Sequence, residues 1–141
     1  MFKDILLPLD LGRSAESEVL FAKAAEVVAA SGAKLHVMTV VPDFGMPLVS
    51  SFFPAEFEKK ALEQARVELH AFVNKQPGGV TAAQHVVGHG SVYKEIIRVA
   101  EETNCDLIIM GQGEDVESDY LLGHNSARVM RHSHCSVLLL R

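Results

Sequence analysis

Short apolar runs recur along this chain, and the stretches between them carry hydrophobic residues at helical spacing instead. Ile5–Leu9, Leu107–Met110 and Val137–Leu140 are too short for helices and almost uninterrupted by polar residues, the pattern of strands buried on both faces. Such strands belong to a parallel sheet with helices on either side, reached through right-handed crossovers. The expected class is a doubly wound α/β fold of five parallel strands.

The other elements fall into place around these runs. Asp10-Leu-Gly-Arg-Ser turns into a helix expected to be capped by Ser14, with Val19, Leu20, Ala24, Val27 and Val28 on its apolar side and Ser31-Gly32 as its stop. Ala33–Val41 reads as the second strand, closed by Pro42, and Phe44–Pro54 as a mobile loop. Ala55–Lys75 is a long amphipathic helix with Phe57, Ala61, Leu62, Ala65, Leu69 and Phe72 on one face, broken by Pro77-Gly78-Gly79. Thr81–Val87 is the expected third strand, and Gly88-His-Gly-Ser leads into a helix over Val92–Glu102. A last helix is expected over Asn125–Arg131. Nothing in the chain marks a repeat or a linker, so residues 1–141 read as a single domain.

Composition narrows the function. A net charge of −5 with no basic block disfavours nucleic acid or an anionic membrane as the main partner. Cys105 and Cys135 read as ordinary reduced, buried cysteines. The start lacks the long apolar region of a signal peptide and no run is long enough to span a bilayer, so the expected location is cytoplasmic.

The chemistry gathers at strand ends. Leu107–Met110 runs into Gly111-Gln112-Gly113, where the backbone can bend sharply and a ligand can approach without meeting a Cβ. Gly123 opens the last helix, and glycine turns beside a helix N-terminus concentrate the free N–H groups that hold phosphate. Asp10 is the first polar group at the end of the first strand, able to accept from an amine or a ribose hydroxyl or to serve as a turn residue. The three glycines can equally be turn and cap glycines. Glu114, Asp115, Glu117 and Asp119 lie between them and would repel a polyphosphate. A divalent cation such as Mg2+ would reverse that sign, though no ligand set is specific for one. His132-Ser-His134-Cys135 matches no familiar zinc pattern and is better explained by imidazole at a helix C-terminus. His85 and His89 can share a strand face, and a solvated edge explains them as well. No nucleophile turn, phosphate-loop lysine or arginine finger is present.

These features together resemble the universal stress protein family. The resemblance rests on Ile5-Leu-Leu-Pro-Leu-Asp10, on Gly111, one residue, Gly113, nine residues, Gly123-His124, on Tyr120-Leu-Leu-Gly-His-Asn125, and on Arg131-His-Ser-His-Cys-Ser-Val-Leu138. The family's standard motif has two residues between its first glycines and Ser or Thr after the last, so this loop is one residue shorter and carries His124 instead. The resemblance implies the strand order 3-2-1-4-5 and an ATP or AMP pocket where the winding reverses, at the carboxyl ends of strands 1 and 4. It places Pro8, Asp10, Val40, Met110, Gly111, Gly113, Gly123, His124 and Asn125 at that pocket, with the main chain of Val40 reading adenine. It also implies a homodimer through the last strand, Ser136–Leu140, whose apolar edge invites another chain. The expected function is an adenine-nucleotide-binding regulatory protein of the stress response without substantial turnover, acting on an unknown protein partner. A nucleotide-free dimeric scaffold or adaptor and a slow ATPase are the alternatives.

Overall fold

The structure is a computed structural model, which describes residues 1–42, 55–78, 80–82, 84–112 and 123–141. The loop expected over Phe44–Pro54, Gly113 and the four acidic residues 114–119 lie outside the described residues. Among the described residues nine elements follow along the chain: β1 Asp4–Pro8, α1 Ser14–Ser31, β2 Lys34–Pro42, α2 Ala55–Lys75, β3 Gln84–Gly90, α3 Val92–Glu102, β4 Leu107–Gly111, α4 Gly123–His132 and β5 Ser136–Leu140. The five strands form one sheet in the order β3-β2-β1-β4-β5, every pairing parallel.

The apolar runs are explained by two cores on opposite faces of that sheet. Side chains alternate along a strand, so Ile5, Leu7 and Leu9 enter one cluster with Leu20, Phe21 and Ala24 of α1 and Leu69 and Val73 of α2. Leu6 enters the other, with Ile96 and Val99 of α3 and Val129 of α4. β4 divides in the same way, Leu107 and Ile109 against Ile108 and Met110. Each of these strand residues is at most 3% exposed.

Several local expectations need correction. Ser14 does not cap α1: it is the first helical residue, Arg13 stands before it, and no side chain caps the start. The turn is held instead by Asp10, as described below. Val19 is 56% exposed, whereas Phe21 is buried and meets Phe72 of α2 edge-on, with ring centroids 6.2 Å apart. In α2, Val73 is buried and Phe57 is 43% exposed, so the stripe is rotated toward the helix's C-terminal end. Cys105 is buried but Cys135 only half so, and both are free thiols. Burial pushes the Cys105 thiol up to about 11, a protonated and unreactive form at neutral pH.

The largest shift is in β3, which runs over Gln84–Gly90 rather than 81–87. Pairing with β2 sets its register, from His36 beside Gln84 to Pro42 beside Gly90. Gly88 fits because α3 packs tightly there: a Cβ on it would stand 3.1 Å from Glu95 Oε1 and 3.2 Å from Glu95 Cβ. The Glu95 carboxylate in turn accepts the His89 N–H at 3.1 Å. α1 ends as expected, with Gly32 left-handed at φ 68° and its N–H donating to Val28 O.

Candidate functional site

β1 and β4 are neighbours whose flanking helices lie on opposite faces, so a crevice opens at their carboxyl ends. Asp10 stands at its centre. The sheet ladder continues one residue beyond β1, where the Leu9 N–H donates to Met38 O at 2.8 Å, and the chain then turns into α1. Asp10 organises that turn: its Oδ1 accepts the Gly12 N–H at 3.0 Å, and its main-chain oxygen accepts the Arg13 N–H at 3.0 Å and the Ser17 hydroxyl at 2.7 Å. The carboxylate is thus oriented by its own turn, which makes Asp10 a turn residue without removing it from the crevice.

Two cavities share Asp10. One, of about 640 Å³, is bounded by Asp10, Gly111, Gln112, the first turns of α1 and the end of β5, within the usual range for small-molecule sites. Arg13, Glu16 and Lys23 bring charge to its rim. Arg13 pairs with Glu16 and Lys23 donates to Arg141 O, so both cations are held in place by protein groups. The other is a crevice of about 30 Å³, near the size of one water, which gathers Pro8, Asp10 and Val40 against Val92 and Ile96 of α3. Pro8 and Val40 are therefore brought together with Asp10 on one side, and Gly111 with Asp10 on the other.

The remaining expected residues are distributed more widely. Gly111 does not bend the chain: it ends β4, paired with Leu140, and the Gln112 N–H still donates to Leu140 O at 3.1 Å. Among the described residues, a Cβ there would meet Leu20 Cδ2 at an ordinary 3.7 Å. The Met110 side chain is fully buried in the α3–α4 core, so only its main chain faces the strand end. Gly123 starts α4 and His124 is exposed beside it. Asn125 is buried, and its Oδ1 accepts the Tyr93 N–H at 3.1 Å, which ties the start of α4 to the start of α3. Among the described residues no three His, Cys, Asp or Glu side chains converge as a metal-ligand set, and no helix is long and apolar enough to cross a membrane.

Sequence reasoning passed over Ser17 and Lys23. Ser17 was findable, since it is a small polar residue on the stripe shared by Leu20, Phe21 and Ala24, where a buried hydroxyl needs a main-chain acceptor. Lys23 reaches the cavity only because α1 crosses the end of β5, which no local pattern records.

Comparison with known proteins decides the family. The model of the universal stress protein family matches residues 1–141. The chain belongs to the universal stress protein family. Universal stress protein G of Escherichia coli O157:H7 is 27% identical over 143 residues, covering all of both chains. The hypothetical protein MJ0577, whose structure served as a test case for structure-based assignment of biochemical function, is 25% identical with a TM-score of 0.73, covering 99% of this chain and 96% of that one. A universal stress protein solved in complex with cAMP is 24% identical with a TM-score of 0.62, covering 99% and 97%. The five-stranded parallel sheet in the order β3-β2-β1-β4-β5 belongs to the fold this chain shares with the two solved structures.

Proposed function

We propose that this universal stress protein, read as one domain of residues 1–141, binds an adenine nucleotide, ATP or AMP, and passes its occupancy to a protein partner as a cytoplasmic homodimer. The observation that carries the reading is Asp10, an oriented carboxylate at the point where the sheet's winding reverses, lining a cavity of about 640 Å³ together with Gly111. That glycine leaves open the close backbone approach a ligand uses. A family relative of the same fold was solved in complex with cAMP, a ligand of the same class.

In this reading Pro8, Asp10 and the main chain of Val40 hold the base and ribose, and Met110 contributes its main chain. Gly111, Gly113 and Gly123 make room for phosphate, and the first turn of α4 aims its N–H groups at the same space. Any contact from Asn125 adds to its bond with Tyr93. His124 stands where the standard motif has a hydroxyl. Mg2+ would neutralise part of the phosphate charge, so ATP should bind more tightly with Mg2+ than without it, and AMP should show less difference. Turnover near the roughly 10 per second of metabolic enzymes is not expected.

Calorimetric titration of ATP and AMP, with and without Mg2+, is the test, beside mass spectrometry of any nucleotide released on denaturation. Asp10→Ala should weaken binding at least tenfold with the fold intact by circular dichroism. Failure of either nucleotide to bind under all conditions would favour the nucleotide-free scaffold. The dimer is argued from β5, a half-buried strand at the sheet edge with apolar side chains over Val137–Leu140. Val137→Glu should convert it to a monomer in light scattering.

A further inference from the structure

Away from the nucleotide cavity, α2 lays one imidazole against another. His70 of α2 and His85 of the edge strand β3 face each other with their Nδ1 atoms 3.2 Å apart. The ring centroids are 4.8 Å apart and the ring planes are tilted by 46°. His70 is exposed and His85 half-buried. The large cavity takes no residue from either element. We propose that His70 and His85 form an open two-imidazole site for a divalent transition metal of the Zn2+, Ni2+ or Cu2+ kind, which would clip α2 to the sheet edge.

The separation of the two nitrogens carries the argument. With metal–nitrogen bonds of about 2.0–2.1 Å, two nitrogens on one tetrahedral centre stand about 3.3–3.4 Å apart, and on one square-planar centre about 2.9 Å. The observed 3.2 Å lies between these spans, so both rings can reach one ion by rotation of their planes and without movement of the main chain. In the metal-free pair one Nδ1 carries a proton and donates it to the lone pair of the other. On metal binding that ring changes tautomer: its proton leaves Nδ1, another binds Nε2, and both lone pairs go to the ion.

The surroundings suit this use. His85 is anchored on a strand, paired with Val37 of β2, and its position on the α2 side of the sheet is fixed by the parallel register. Arg66, one turn back from His70 on α2, is engaged by Glu63 through bonds of 3.1 and 2.6 Å. Two protein ligands fall short of a dedicated structural site, so water on the exposed His70 side completes the coordination and the ion exchanges. Imidazole ligation selects these metals over Mg2+ or Ca2+.

The chain has seven histidines, so the test must locate the ion as well as detect it. Substoichiometric Ni2+ added to the 15N-labelled full chain should broaden amide signals around residues 70 and 85 first. Zn2+ titration by calorimetry should show one site whose affinity falls at least tenfold in His70→Gln and in His85→Gln. Zn2+ should raise the Tm of the wild type and not of either variant. His70→Gln is an exposed change, so it keeps the test open should His85→Gln disturb folding. Broadening centred elsewhere, or Zn2+ affinity unchanged in His70→Gln, would overturn the site.

Discussion

Asn104 takes a φ of 55° as the chain leaves α3 for β4. Asparagine visits this left-handed region more readily than most residues, and glycine enters it freely, whereas a β-branched side chain is strained there. Asn104→Val should lower stability by about 1–2 kcal/mol, read as a lower urea midpoint, while Asn104→Gly should not. Asp106 and Glu95 matter in another way. Burial raises the Asp106 pKa, but the N–H groups of Lys3 and Asp4, donating at 3.0 to 3.1 Å, outweigh it and the net shift is downward. Glu95 is lowered first by its hydrogen bonds from Arg98, against burial, with the His89 N–H adding to them. A carboxylate held below its unfolded value stabilises the fold above that value and loses the contribution as pH falls through the folded one. Stability should therefore decline below about pH 4, and the drop between pH 7 and pH 3.5 should be smaller in Asp106→Asn and Glu95→Gln. At this scale Asp10 was legible because a lone carboxylate after an apolar run stands out. Ser14 was misread as a cap because the residue type favours that role, while the competing Asp10 turn involves Ser17, seven residues away.

Among the elements, strand and helix identity followed from periodicity alone, since β1 and β4 present apolar side chains to both cores and the helices to one. Limits were legible where glycine or proline punctuates the chain, as at Gly32 and Lys75. They were not legible in β3, because Thr81–Val87 and Gln84–Gly90 have similar local character and the choice is made by pairing with β2. Gly88 looked like part of a turn and is in fact a contact point between β3 and α3. Gly88→Ala should cost about 1–3 kcal/mol through overpacking against Glu95. Adding Glu95→Ala removes the Oε1 and Cγ contacts at 3.1 and 3.4 Å, so the double variant should be less destabilised than the sum of the singles. Additive losses in chemical denaturation would show that the two residues are not in conflict.

Across the whole molecule, topology was legible from strand–helix alternation together with the family likeness, since alternation alone does not order strands. The extent of the site was not, because the 640 Å³ cavity is made where α1 crosses the ends of β4 and β5, elements far apart in sequence. One wall of that cavity has a consequence for assembly. Leu140 both lines it and ends β5, the strand proposed to join two copies. A ligand and a second subunit would then press on the same few residues, and their free energies of association become conjugate: whatever factor the nucleotide adds to self-association, self-association must return to the nucleotide. The apparent nucleotide affinity should therefore drift with total protein concentration across the monomer–dimer transition and become constant in Val137→Glu. A dilution series of titrations reads the drift directly, and its sign tells whether the filled pocket draws the two sheets together or holds them apart.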